Sequence, residues 1–274
     1  MTLSLKPDLA GTIQAMRVAV NLILGGLGAG CAVAAYLLSL AGGISAGDLI
    51  LPYAAAGIVM GIGLLSVWIG PQLRNPRILL RPGASWTARE AYAALIFYAA
   101  LIADWNMRGP ILEAVIAAAA VAFLVSQAHM VQASKSRPYW RAAEIPSLML
   151  IAALSEGVGL IAVFATVAPP IFRAEPLAAI AGMVLATMGA YRWQDYIGGA
   201  EDQAPLKRLS AIIHGGQHAL PFALYLATFI PWSGSHWVMP AGGLSAICGG
   251  ALWQNILVTR LGRSQAPMDA PAGL

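Results

Sequence analysis

Eight runs of mainly apolar residues, each long enough to cross a bilayer as a helix, leave little chain for anything else. They cover residues 12–42, 49–70, 88–107, 110–134, 147–168, 176–199, 209–231 and 236–261. A helix needs roughly 20 such residues to span the hydrocarbon layer. Only 10% of the 274 residues are charged, against about 25% in a typical soluble domain. A surface so poor in charge cannot be wetted all round, so lipid must solvate much of it. The sequence therefore predicts an all-α integral membrane protein, with eight transmembrane helices in a single membrane domain over 1–274. The expected packing is two four-helix bundles, although no internal repeat is visible.

Prolines punctuate the connections. Pro71, Pro76 and Pro82 break the second, Pro138 and Pro146 the fourth, and Pro169-Pro170 the fifth. Thr87-Ala88-Arg89-Glu90 reads as a capping box that opens the third helix. No cleavable leader is expected, because the first apolar run is too long for a signal-peptide core.

Charge orients such a chain. With eight spans, the N-terminus, alternate loops and the C-terminus share one side. That side holds Lys6, Arg74, Arg77, Arg81, Arg89, Lys135, Arg137, Arg141, Lys207, Arg208, Arg260 and Arg263. The opposite side holds Arg108 and Arg173. The positive-inside rule puts the richer side in the cytoplasm, in a bacterial inner membrane. The net charge of +4 is thus a topology signal, and no nucleic-acid partner is implied. The two cysteines, Cys31 and Cys248, lie inside apolar runs and read as small packing residues. Without a Cys or His ligand cluster, no Fe–S cluster or molybdenum is expected in this chain. Gly26-xxx-Gly30 and Gly57-xxx-Gly61 predict close helix–helix approach.

Ionisable groups inside a span are costly and point to function. The candidates are Arg17 and Asn21 in helix 1, Asp104 late in helix 3, and Gln127 and His129 late in helix 4. Glu156 lies well inside helix 5, Arg192, Gln194 and Asp195 close helix 6, and His214, Gln217 and His218 open helix 7. Gln254 and Asn255 come late in helix 8. Most fall toward the positive side. Arg192 and Asp195, three residues apart, can satisfy each other. His214 and His218 share one helix face, so an axially ligated haem would pair one of them with His129.

The stretch from Trp68 to Glu90 is the most specific. It sets Arg74, Arg77, Arg81 and Arg89 beside Trp68 and Trp86 in one interfacial connection. Arginine there can hold lipid phosphate, a quinone carbonyl or acidic groups of a docked protein. Three passages resemble the NrfD-type membrane-anchor subunits of molybdenum and Fe–S oxidoreductases, which include the anchors of polysulfide reductase and DMSO reductase. They are the glycine-rich first helix from Asn21 to Gly30, the loop Ile69-Gly70-Pro71-Gln72-Leu73-Arg74 with Arg81-Pro82 and Ser85-Trp86-Thr87-Ala88-Arg89-Glu90, and Pro138–Pro146. Details such as Arg137-Pro138-Tyr139-Trp140-Arg141 resemble anchors of cytoplasm-facing complexes such as phenylacetyl-CoA:acceptor oxidoreductase or sulfite dehydrogenase.

The resemblance implies a quinone-reactive subunit that exchanges electrons between ubiquinone or menaquinone and a ferredoxin-like Fe–S subunit. That subunit and a molybdopterin catalytic subunit would dock on the N-terminal face. The quinone site is expected from Arg17, Asn21, Trp68, Arg81, Trp86, Arg89, Gln127 and His129. Relatives often carry histidine where this chain has Trp68, so the histidine role falls to His129. Asp104, Glu156, Asp195, His214 and His218 are the expected proton path. Two other readings stay open: a haem b anchor through His129 with His214 or His218, and a polytopic transporter using Glu156 and Arg192.

Overall fold

The computed structural model describes residues 9–42, 44–68, 85–133, 138–166, 168, 174–199, 204–231 and 235–259. Among these residues there is no strand, so the all-α expectation stands. Backbone polar groups in an apolar solvent must be satisfied within the segment, which leaves helix as the form for isolated spans.

Among the described residues, eight long helical stretches follow the eight apolar runs. α1 comprises Leu9–Val20, a π-helical turn Asn21–Gly25 and Gly26–Leu40, run together without a break. α2 is Ile50–Trp68 and α3 is Trp86–Met107. α4 is Pro110–Gln132, α5 is Ile145–Phe164 and α6 is Glu175–Gly199. α7 comprises Ala204–Ile213, a second π-helical turn His214–Ala219 and Leu220–Ala227. α8 is Ser235–Thr259. Pro110 and Pro146 sit in first turns, where a missing N–H costs nothing. α7 begins five residues before its apolar run because Ala204–Ile213 is amphipathic and carries Lys207 and Arg208.

α1 and α5 form the centre. α1 packs on α2, α4 and α5, while α5 also packs on α4, α6 and α8. α3 lies along α4, and α7 bridges α6 and α8. Small residues make the central crossing possible: Gly30 lies against the Ala153 carbonyl, and Gly157 against the Gly30 backbone. Gly28 abuts Ala56 and Met60 of α2, and Gly159 meets Gly243 of α8. The two glycine motifs split in role. Gly30 makes a backbone contact, whereas Gly26 faces two amides, and Gly57 and Gly61 receive the Tyr98 ring and Leu101 of α3. Tyr98 donates to the Gly57 carbonyl at 2.7 Å.

Large apolar side chains point outward on many helices, among them Ile58, Leu65, Leu95, Ile102, Ile111, Val184, Leu226 and Leu244. Among the described residues, five stretches are long and apolar enough to cross a membrane: Ala15–Leu40, Ile50–Val67, Pro110–Gln132, Ile145–Phe164 and Trp237–Thr259. α3, α6 and α7 carry more charge, including Glu90, Asp104, Glu175, Arg192, Asp195, Lys207 and Arg208. These features make the chain a multi-pass membrane protein.

The capping-box expectation is corrected. Ser85, not Thr87, precedes the first helical residue of α3, and it makes no side-chain cap bond. Thr87 Oγ1 instead lies 3.5 Å from Met130 Sδ. Glu90 turns away from the helix start into the interior, because its carboxylate has a better partner on α1.

Candidate functional site

That partner is Asn21. Its Nδ2 donates to Glu90 Oε1 at 3.0 Å, and both side chains are buried. Gln127 of α4 completes the group, donating from Nε2 to the Asn21 carbonyl at 3.2 Å. The π turn explains why a backbone carbonyl is free to accept. A π turn shifts hydrogen bonding from i−4 to i−5 and disturbs the regular ladder. Gly25 is required beside it: a Cβ there would lie 2.8 Å from Gln127 Nε2 and 3.1 Å from Phe123.

One helical turn toward the start of α3, the side chains become aromatic. Trp86 and His129 stack with ring centroids 4.6 Å apart, and the Arg89 guanidinium lies 4.2 Å over the Trp86 ring. His129 Nδ1 is 2.9 Å from the Val125 carbonyl. A carbonyl can only accept, so Nδ1 carries a proton, which in a neutral imidazole leaves Nε2 as the acceptor. Trp86 and Glu90 are four apart on one face of α3, so the stack and the buried carboxylate adjoin. Of the expected quinone-site residues, Asn21, Trp86, Arg89, Gln127 and His129 thus share one end of the helices. Arg17 lies one turn before Asn21, and its carbonyl accepts from Ser66 Oγ at 3.1 Å. Arg81 and the Trp68 side chain lie outside the described residues. Glu90 was not among the expected site residues, because the capping pattern accounted for it. Its spacing of four from Trp86 was the available signal.

A cavity of about 480 Å3 lies between α2 and α3, lined by Gly57, Gly61, Leu64, Ala91, Ala94 and Tyr98 among others. It is almost wholly apolar. Ala91 is the residue after Glu90, so the cavity ends at the depth of the buried pair.

Glu156 sits elsewhere, in the middle of α5. It is 1% exposed, accepts from Gln254 Nε2 at 2.9 Å, and lies directly over Gly250 of α8. Gln254 was noted in the sequence without a role. On α7 the second π turn presents Gln217 and His218 inward. His218 packs on Gly189 of α6, 6.0 Å from the His214 ring by centroids. Both histidines line a cavity of about 220 Å3 with Ala186, Thr187, Ala190 and Phe222. His129 stacks on Trp86, and His218 packs on Gly189. Among the described residues no cluster of three or more His, Cys, Asp or Glu is arranged to hold a metal.

At the far end of the helices, Asp104 is buried and accepts from the Gly109 amide at 3.2 Å. Glu113, absent from the expected list, is buried across the same α3–α4 turn. Asp195 is on the surface. It pairs with Arg192 at 3.5 Å with both side chains substantially exposed, as the i, i+3 spacing suggested. Such a pair contributes little, so Asp195→Asn should change stability by less than about 1 kcal/mol in a thermal melt.

The fold and these clusters define the class: an all-helical, multi-pass membrane protein with an ordered polar site where α3 begins and α4 ends. No protein-family model matches the chain, and no curated protein matches it significantly.

Proposed function

We propose that this chain is the membrane anchor and quinone-reactive subunit of a molybdopterin oxidoreductase, exchanging electrons between the quinone pool and an Fe–S subunit. The observation that carries the reading is the buried Asn21–Glu90–Gln127 group adjoining the Arg89–Trp86–His129 stack. The chemistry of that group suits the ligand. Asn21 Oδ1 is buried without a hydrogen-bond partner among the described residues, and a planar aromatic wall stands beside it. A bound quinone supplies reversible two-electron, two-proton chemistry. Trp86 would flank the ring, and Asn21 Oδ1 and His129 Nε2 would accept hydrogen bonds from the hydroxyls of its reduced form. Glu90 would hold the exchanged proton, and Arg89 would favour negative charge at the reduced head. The apolar cavity between α2 and α3 supports access from the lipid, with room for part of a hydrocarbon tail.

In this reading all eight helices span the membrane, in two four-helix bundles of α1–α4 and α5–α8 joined through α1 and α5. The termini and the arginine-rich connections face the cytoplasm of a bacterial inner membrane, where the Fe–S and molybdopterin subunits dock. Asp104, Glu156, His214 and His218 serve proton movement; Asp195 lends surface charge to the same route.

The test is mild-detergent isolation of the chain from its native membrane. Co-isolation of an Fe–S polypeptide, with bound quinone in the extract, is expected. A Soret band in the chain alone would favour the haem reading. Uptake of a charged solute by proteoliposomes holding only this chain would favour the transporter.

A further inference from the structure

Gly26 of α1 separates two buried amides. A Cβ placed on it would lie 3.9 Å from Gln127 Oε1 and 3.9 Å from Gln254 Nε2, with Ala153 Cβ at 3.5 Å. The two amides, one on α4 and one on α8, are therefore within about 8 Å of each other, a gap that one or two waters bridge. Each amide belongs to a different carboxyl group. Gln127 is bonded to Asn21, which holds Glu90. Gln254 donates to Glu156.

All five of these side chains are more than nine-tenths buried. Yet Asn21 Oδ1, Gln254 Oε1 and Glu156 Oε2 have no hydrogen-bond partner among the described residues. Buried polar atoms are rarely left dry, because each forfeits its bonds to water without replacement. Ordered internal water, typically making about three hydrogen bonds, is the usual remedy where a site is polar and roomy. Three orphaned acceptors on the two groups that flank Gly26, a residue without a side chain, fit that description. Gly30 and Gly159 press on the backbone of a neighbouring helix. Gly26 does not.

We propose that Gly26 marks a hydrated seam, in which a short run of ordered waters joins the Asn21–Glu90–Gln127 group to Glu156 and puts the two carboxyl groups in proton exchange. Transfer along it needs no other reactant. At each hop one O–H bond forms on the accepting water or carboxylate as another breaks on the donor, and the charge moves by one site. Glu156 then acts as a proton reservoir for the site between α1, α3 and α4. The seam does not depend on which redox ligand that site takes, so its test stands apart from the quinone assignment.

Two measurements on the full chain in lipid nanodiscs decide the matter. A cryo-electron microscopy map fine enough to resolve waters should show at least one within hydrogen-bonding distance of Gln254 Oε1 or Glu156 Oε2, continuing toward Gln127. Infrared spectroscopy in D2O should show a protonated-carboxyl band that disappears in Glu156→Gln and exchanges rapidly in the unaltered chain. Gly26→Ala places a methyl group between the amides at ordinary contact distance, so the fold tolerates it. Exchange of the Glu156 band should slow at least tenfold in that variant. A dry gap in the map, exchange at the original rate in Gly26→Ala, or no band that depends on Glu156 overturns the proposal.

Discussion

Under the proposed quinone reading, replacing Asn21 and His129 together with leucine should lower quinone-coupled turnover by about a hundredfold or more, the scale on which a preorganised polar contact acts. The complex should still assemble, since both residues lie inside the helix group and neither is on the arginine-rich connections. Asn21 is the more consequential of the two. Its Nδ2 holds Glu90, so Asn21→Leu strands a buried carboxyl group as well as removing a ligand contact. That stranding has its own cost in stability, about 1–3 kcal/mol. Adding Glu90→Leu to Asn21→Leu removes both partners and separates the two effects: stability should recover while turnover does not. His129→Leu leaves the Asn21–Glu90–Gln127 group intact and should cost turnover without costing stability. Turnover is read with a soluble quinone analogue in membranes holding the assembled complex, and assembly by the yield of the co-isolated subunits. Unaltered quinone kinetics in the double variant would sink the site assignment.

The second large effect is structural. Gly30→Leu should remove folded protein from the membrane. A Cβ at Gly30 runs into the Ala153 carbonyl carbon at 2.6 Å and meets the next amide at 3.2 Å. The obstacle is backbone on the central helix α5, which cannot swing aside as a side-chain tip can. Forcing the helices apart loosens the most deeply buried crossing, at about 3 kcal/mol or more. Gly26→Ala is the control from the same Gly-xxx-Gly motif. Its nearest new neighbour is Ala153 Cβ at 3.5 Å, so it should melt within a few degrees of the original chain. Yield of monodisperse protein in detergent and the melting temperature distinguish the two. Equal tolerance of both substitutions would mean that α1 and α5 do not cross at Gly30.

The positions of the helices were legible because hydrocarbon imposes one requirement, a long apolar run, and prolines and charges mark where each run ends. The polar site was half legible. Asn21, Gln127 and His129 stood out as polar groups in apolar surroundings, but which of them meet depends on helix rotation, and rotation is fixed by packing. Glu90 was hidden by its position, three residues after a threonine at a helix start, where local capping explains a glutamate well. A single sequence cannot show that a partner 69 residues away outcompetes the local cap. Glu113 was hidden similarly, since an acid in a first turn suits the helix dipole. The pairing of Gln254 with Glu156 rests on Gly250, whose missing side chain makes room for the carboxyl group. Neither π turn has a sequence pattern that announces it. Both occur where polar side chains face the interior, at Asn21 and at Gln217 and His218.

The turn at Asn21–Gly25 has a consequence for how α1 is shared. Before it, Leu9–Val20 packs on α8 and α2; after it, Gly26–Leu40 packs on α5, α2 and α4. One extra residue in a turn advances the face of a helix by about 100°. The first helix therefore works as a spliced shaft, its two lengths keyed to different neighbours, with Asn21 at the splice. Any motion that twists one length against the other would be felt first at the Asn21 carbonyl and side chain, where Gln127 and Glu90 hold on.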